Sequence, residues 1–203
     1  MANIRFRSRR GGVRVRQTGF SMIEILVTLV ILMFGLLGLA GVSSRANLAE
    51  MESYQRVQAL QLLQDMSDRI NANRKVAGCY SNTATGMQLG TGYTGTPTCT
   101  LGTALQQARA VADLAEWDRL LKGQSEDLSG SKTGAMIGAV GCITLDDAAN
   151  NIYMVAVSWQ GLAATHAPLL ADGTTPFPCG NGTFGDEKLH RVVTTKIRIG
   201  TLS

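Results

Sequence analysis

"RVRQTGFSMIEILVTLVILMFGLLGLAGV" (Arg14–Val42) joins a basic segment to a long apolar run. From Ile25 to Val42 there are 18 consecutive residues without a charged side chain. That is long enough for a membrane-crossing helix, and longer than the ~7–15 apolar residues of an ordinary secretory signal. Glu24 stands directly before this run, and an unpaired carboxylate is costly in hydrocarbon. The stretch therefore predicts a membrane-length helix with one charged residue that needs a partner.

The positive charge of the chain is concentrated at its N-terminus. The formal net charge is +4, from 19 basic and 15 acidic residues, but residues 1–19 hold six arginines and no acid. Without residues 1–19, the chain has 13 basic and 15 acidic residues, which is a formal net charge of −2. Basic residues beside an apolar span favour the cytoplasmic side. We expect a cytoplasmic N-terminus and no nucleic-acid binding, since no basic stripe with interleaved aromatic residues follows.

The helix is expected to continue beyond the apolar run, from Phe20 to Arg74. Residues 45–74 contain no Pro or Gly and are rich in good helix formers. Their apolar residues form one stripe on a helical wheel, which is typical of a helix packed on one side. The stripe consists of Leu48, Met51, Ala59, Leu62, Leu63, Met66 and Ile70. Tyr54, Val57 and Leu60 fall outside it, either as ordinary surface residues or as contacts with neighbouring subunits.

A second, shorter helix and a small sheet are predicted downstream. Residues 78–100 are rich in Gly and Thr and indicate a loop or a loop with short strands. Thr103–Lys122 indicates a helix with Thr103 as its N-cap. Its expected apolar contacts are Leu105, Val111, Leu114, Ala115, Trp117, Leu120 and Leu121, with Trp117 as a core anchor.

Three later segments have the period-two alternation of β-strands. They are Gly134–Asp146, Asn151–Gly161 and His190–Gly200, and the short gap between the first two favours an antiparallel hairpin. The expected fold class is α+β. A long N-terminal helix, apolar and then amphipathic, packs on a small antiparallel sheet with one extra helix and disulfide-bounded loops.

Four cysteines follow the apolar run, and none of their spacings is that of a zinc or thioredoxin-like motif. An oxidising compartment favours two disulfides. Of the three possible pairings, Cys79–Cys99 and Cys142–Cys179 are preferred, because each bridges one loop-rich segment. The alternative is that all four are free buried thiols.

No catalytic, cofactor or metal motif emerges from the sequence. His166 and His190 have no metal-ligand spacing. The glycines of residues 90–95 match G-x-G-x-x-G, but they follow loop sequence rather than joining a strand to a helix. We expect a protein that is not an enzyme and that binds neither a cofactor nor a metal.

The residues "TGFSMIEILVTLVIL" (18–32) resemble the class III signal of type IV prepilins. That family has a basic leader, a Gly, an apolar helix that begins with Phe or Met, and a Glu at the fifth mature position. Gly19, Phe20 and Glu24 match these positions. The resemblance implies cleavage between Gly19 and Phe20 by prepilin peptidase and N-methylation of Phe20. It further implies that Glu24 pairs with the N-terminal amine of an adjacent subunit, which would satisfy a carboxylate buried in a helical bundle.

Within the prepilins, the chain resembles the minor pilins of the type IV pilus modification protein (PilV) family. The resemblance implies a subunit that primes or joins type IV pilus assembly, with other minor pilins, the major pilin, prepilin peptidase and the assembly machinery as partners. It implies a single inner-membrane span in contact with lipid before assembly, a periplasmic head, and finally a place in a cell-surface pilus. Two alternatives share parts of the pattern: a pseudopilin of a type II secretion system, and a plain membrane-anchored periplasmic binding domain.

These expectations divide the chain into four parts. Residues 1–19 are a basic leader that is removed, and residues 20–42 are the transmembrane and assembly half of the helix. Residues 43–74 are its amphipathic half, and residues 75–203 form the globular α+β head in the periplasm or outside the cell.

Overall fold

The computed structural model describes residues 19–81, 83, 85–123, 127–128, 131–132 and 136–200. The predicted leader lies outside these residues, apart from Gly19. The chain forms two compact units, Met1–Arg45 and Ala46–Ser203. Below, the second unit is called the head.

The first helix, α1, runs without a break over Met22–Ala72 and has 51 residues. It passes through Gly35, Gly38 and Gly41 as regular helix. The predicted long helix is confirmed, with ends two residues inside the expected ones. Its first turn contains Glu24, whose backbone N–H donates to the Ser21 carbonyl at 3.0 Å.

The head contains the second part of α1, one further α-helix, two short 3₁₀ helices and six strands among the residues described. In chain order, the elements after α1 are a 3₁₀ helix Arg74–Ser81, β1 Met87–Gly90, α2 Ala104–Leu121, β2 Asp127–Leu128, β3 Ser131–Lys132, β4 Ile137–Asp147, β5 Ile152–Gln160, a 3₁₀ helix Glu187–Leu189 and β6 His190–Arg198.

The main sheet has four antiparallel strands in the order β1-β4-β5-β6. β4 and β5 form the predicted hairpin, with Gly141 opposite Val157, and β6 pairs with β5 from Ile152–Arg198 to Gln160–His190 without a shift. β2 and β3 form a separate two-stranded ribbon. The predicted α+β, pilin-like fold class is confirmed.

Helix α2 begins with the predicted cap. The Thr103 hydroxyl accepts a hydrogen bond from the Gln106 N–H, and the Gln106 side chain accepts one from the Thr103 N–H, which together make a capping box. Leu114 and Trp117 on this helix are fully buried, so Trp117 is the expected core anchor. The prediction that Leu105 makes an apolar contact was wrong, because this residue lies in the first turn of α2 and is 82% exposed.

The core lies between the two helices and one face of the sheet. Trp117 fills its centre and packs so closely on Gly141 of β4 that a Cβ there would lie 2.3 Å from the indole ring. The Trp117 indole N–H donates to the Leu62 carbonyl of α1 at 2.9 Å, which fixes α2 against α1. A smaller cluster under Phe177 covers part of the opposite sheet face.

The two disulfides are Cys79–Cys99 and Cys142–Cys179, the pairs that the sequence analysis preferred. The first joins the Arg74–Ser81 3₁₀ helix to the segment before α2. The second ties the loop that carries Phe177 to the middle of β4. Each therefore attaches loop sequence to a regular element.

Candidate functional site

The N-terminal part of α1 exposes its apolar surface on all sides. Every residue from Gly19 to Glu50 is exposed, and Phe20 is 81% exposed. Exposed apolar surface on this scale marks a region that is covered by lipid or by another protein. By length and composition α1 is also able to cross a membrane, and it is the one such helix among the residues described.

Glu24 is the acidic residue in the first turn of α1, four positions after Phe20. The negative charge lies where the free N–H groups of a helix terminus favour it. From Ile25 onward, the side chain of Thr28 is the first polar group, and its hydroxyl donates to the Ile25 carbonyl at 2.8 Å. Glu24 is therefore the strongest polar feature on an otherwise apolar helical surface.

Two family models match the chain. A model of the prokaryotic N-terminal methylation motif matches residues 14–40, and the model of type IV pilins like Tt1218 matches residues 42–120. Over these residues the chain is similar to the type IV pilins, and the two matches together support a type IV pilin. No curated protein and no solved structure matches it. The pilin family consists of structural subunits rather than enzymes, and its members assemble with other pilins after processing by prepilin peptidase.

In the head, burial along α1 begins at Gln55 and follows one face to the end of the helix. The buried residues are Gln55, Ala59, Leu63, Met66, Ser67 and Ile70. Leu48 and Met51 continue the predicted stripe but are 45% and 56% exposed, so they were wrong as packed residues. The helical period is right there, but period alone does not determine how much of each side chain the head covers.

On the opposite side of α1 in the head, apolar side chains are exposed. Tyr54, Val57 and Leu60 are each about half exposed, at 54%, 48% and 46%. They fall outside the buried face, as the sequence analysis expected. With Leu48 and Met51, they are the exposed large apolar residues of α1 in the head.

A clamp holds α1 to the β5–β6 end of the head at Glu52. Its carboxylate accepts hydrogen bonds from the N–H groups of Leu162 and Ala163 at 3.1 and 3.0 Å, and it pairs with Arg191 at 3.2 Å. Burial raises the pKa of Glu52, but the Ala163 hydrogen bond and the Arg191 charge outweigh it, so the pKa is lowered. The charged form therefore ties the helix to the loop after β5.

A buried carboxylate joins α1 and α2. Asp113 is 3% exposed and accepts from Arg69 of α1 at 3.2 Å, from Arg109 at 3.1 Å and from the Tyr80 hydroxyl at 2.7 Å. Burial and the bond to Asp113 raise the pKa of Tyr80. Asn73 extends the network by donating to the Gln106 carbonyl at 3.0 Å. Its members come from three elements, so it fixes how the helices meet.

Sequence reasoning did not single out Asp113 or Glu52. The signal for Asp113 was present, since it falls between Ala110 and Trp117 on the buried face of α2, where a charged side chain requires partners. Glu52 carried no such signal, because its partners lie more than a hundred residues away in sequence.

The structure brings neither His166 nor His190 into a metal site among the residues described. Among the described residues no group of three or more His, Cys, Asp or Glu side chains is placed to hold a metal ion. His190 is buried and pairs with Glu187 at 2.9 Å, while His166 lies in the exposed part of the loop after β5. His190 is therefore part of the sheet at the start of β6, and His166 belongs to the loop after β5.

Proposed function

We propose that this pilin is a minor pilin of the PilV type, which is inserted in the inner membrane and primes or joins type IV pilus assembly. The observation that carries the proposal is the fully exposed apolar half of α1, with Glu24 as its single acid. A subunit stored in lipid and later transferred to a helical bundle needs such a surface. A head of antiparallel sheet and disulfide-tied loops suits a periplasmic and then extracellular location.

Maturation is proposed to occur between Gly19 and Phe20. Prepilin peptidase removes residues 1–19 on the cytoplasmic face, and the new amine of Phe20 is methylated. The match of the methylation-motif model to residues 14–40 supports this position, and so does the basic charge of the leader. Residues 20–42 then act as the membrane and assembly segment. Residues 43–74 act as the amphipathic half of the helix, and residues 75–203 form the globular remainder of the head.

Glu24 is proposed to pair with the N-terminal amine of an adjacent subunit. Cleavage creates that amine four residues before the carboxylate, and both charges are costly in an apolar bundle unless they meet. The pairing therefore selects the axial register in which one subunit's Glu24 reaches the next subunit's Phe20.

The proposed partners during assembly are other minor pilins, the major pilin and the assembly machinery. The bare apolar surface of Met51, Tyr54, Val57 and Leu60 is suited to helix–helix contact with them, because such residues lose water on packing. The orientation follows from the arginine-rich N-terminus, which favours the cytoplasm and places the head across the membrane.

Mass spectrometry of the protein purified from cell membranes tests the proposal directly. We expect a mature N-terminus at methylated Phe20, and a Gly19→Val variant that keeps its full-length mass. Gly41→Val is the matched control, since it introduces the same side chain within the following helix α1, where an added Cβ would meet nothing within 4 Å. An unprocessed wild-type chain would reject the pilin maturation and favour a plain membrane anchor.

The location of the mature protein separates a pilus subunit from a secretion pseudopilin. We expect the wild-type chain in pili sheared from the cell surface, at levels far below the major pilin. Recovery only from the envelope, together with loss of protein secretion when the chain is deleted, would favour the pseudopilin.

A further inference from the structure

We infer that a cavity in the head, between the 3₁₀ helix that follows α1 and the neighbouring end of the sheet, binds the carboxylate of a small organic acid. The observation behind this inference is a set of side-chain donors that line one cavity and have no acceptor. The site lies within the head alone, and it goes beyond the proposed role of the chain in pilus assembly.

The cavity, called the donor cavity below, has a volume of about 300 Å³. Its wall includes Arg74, Lys75 and Ala77 of the 3₁₀ helix and Asn151, Tyr153 and Ile199 from the start of β5 and the end of β6. The two strand ends are tied together, because the Ile199 N–H donates to the Asn151 carbonyl at 3.0 Å. Ligand sites range from roughly 300 to 1,000 Å³, so this cavity has the size for a small molecule.

The polar side chains of the donor cavity are all able to donate hydrogen bonds. Arg74 and Lys75 donate only, while the Asn151 carboxamide and the Tyr153 hydroxyl can each donate as well as accept. None of these four side chains has a hydrogen bond or an ion pair within the described part of the chain. The described residues of the wall include no Asp or Glu. The wall therefore presents two positive charges and no negative charge.

The acidic side chains on the last turns of α1 and at the end of β4 do not neutralise these two cations, because other groups engage them. They are Asp65 with Arg69, Asp68 with Gln64, Asp146 with Lys196, and Asp147 with two backbone N–H groups of its own turn. The distances lie between 2.7 and 3.2 Å. The charge of the donor cavity is therefore available to a ligand.

Tyr153 distinguishes the donor cavity from an ordinary basic surface. Exposed arginine and lysine side chains are satisfied by water, but Tyr153 is only 6% exposed. A buried tyrosine hydroxyl usually finds a hydrogen-bond partner, and this one has none among the described residues. The hydroxyl is not fully enclosed either, so it reaches the surface of the cavity. Burial raises the pKa of Tyr153, so the hydroxyl keeps its proton at neutral pH and can donate it.

The wall fits an organic carboxylate in two respects. The planar guanidinium of Arg74 can donate two parallel hydrogen bonds to a carboxylate, and Lys75 adds a second positive charge. Ala77, Ile199 and the ring of Tyr153 supply apolar surface, on which a small hydrocarbon body would lose water. An inorganic anion would use the donors and leave this apolar surface uncovered, so an organic acid is the better match.

A chemical-shift titration of the full chain in zwitterionic detergent micelles tests the site by NMR. The probe is benzoate. Benzamide has the same ring without the charge, and inorganic phosphate has the charge without an apolar body. With benzoate we expect saturable shifts of the backbone amides of Asn151, Tyr153 and Ile199. Benzamide and phosphate should each bind more weakly by at least about tenfold.

Two variants locate the probe in the donor cavity. Arg74→Gln removes the guanidinium and should weaken benzoate binding by more than about tenfold. Its matched control is Arg56→Gln, because Arg56 is also an exposed arginine and lines a different cavity. Tyr153→Phe removes only the hydroxyl and should weaken binding by about fivefold, with Tyr93→Phe as the control outside the cavity. Unchanged tryptophan fluorescence checks the fold of each variant.

Three results would overturn the inference, and the first two need no variant. One is the absence of a saturable shift at millimolar benzoate. Another is binding of benzamide or phosphate as tight as that of benzoate, which means that the cavity does not select an organic acid. The third is wild-type affinity for benzoate in either Arg74→Gln or Tyr153→Phe, which places the probe elsewhere. Cleavage at Gly19 and pilus incorporation are measured separately, so the proposed function stands or fails on its own.

Discussion

The two parts of α1 share one helical backbone and differ in what covers their side chains. In the Met1–Arg45 unit every described residue is exposed, and 18 consecutive residues carry no charge. In the head the same helix buries one face from Gln55 to Ile70 and leaves the other bare. The head part is stabilised by its own chain, whereas the first part depends on lipid or on other subunits. Changes in the two parts should therefore affect different measurements.

The largest expected effect is the loss of pilus incorporation on changing Glu24 to Ala. The variant leaves the partner amine unpaired in an apolar bundle, so incorporation should fall by more than about tenfold. Membrane insertion should remain, since the change makes the segment more apolar. The measurement is the amount of the chain in sheared pili relative to the membrane fraction. Glu116→Ala, an acid on α2 rather than on the first helix, is the control; a normal level of the Glu24 variant in pili would reject the pairing.

The next effect concerns the head alone. Asp113→Ala removes the buried acceptor of Arg69, Arg109 and Tyr80, and the free energy of unfolding should fall by about 3–5 kcal/mol. Urea unfolding followed by the fluorescence of the two tryptophans, both buried in the head, measures it. Glu116→Ala breaks an exposed pair with Arg119 on the same helix and should cost less than about 1 kcal/mol. Equal losses would mean that the network adds no more than a surface pair does.

A pair of methionine variants compares a buried position and an exposed position on α1. Met66 is fully buried and Met51 is 56% exposed. Met66→Ala should lower the free energy of unfolding by about 2–5 kcal/mol, through lost burial and a cavity. Met51→Ala should leave it within about 0.5 kcal/mol and instead reduce incorporation into pili. If Met51→Ala destabilises the isolated protein as strongly, the head covers more of α1 than the structure shows.

Features encoded by local sequence were predictable, and those set by distant partners were not. The helix, the Thr103 cap and the strand alternation follow from neighbouring residues, so they could be predicted from spacing alone. Leu48 and Met51 lie at positions with the right helical period for burial, but period alone does not determine how much of each side chain the head covers. Leu105 failed for a similar reason, since the first turn of α2 extends beyond the core.

The order of the strands in the sheet also lay beyond sequence reasoning. Alternation identified β6 as a strand, but its place at the edge depends on the order β1-β4-β5-β6. The hydrogen bond from the Gly90 N–H to the Asp118 carboxylate depends on packing of α2 against the sheet. Both features arise from long-range topology, which no local pattern in the chain reports.

The smallest expected effect tests the position where the head first holds the helix. Glu52 has a lowered pKa in the folded chain, so its contribution to stability is present above the unfolded value of about 4.5 and is lost as pH falls through the folded value. Glu52→Gln should therefore lower the free energy of unfolding by less than about 1 kcal/mol near neutral pH, because the side chain is still 30% exposed. The difference from wild type should shrink as the pH falls below about 4.5, and it should vanish at an acid pH at which the wild-type carboxyl is protonated. Urea midpoints at both pH values measure it, with Glu50→Gln as the exposed control. A difference that persists in acid would mean that Glu52 acts through the shape of its hydrogen bonds to Leu162 and Ala163, and that its charge adds nothing to the clamp.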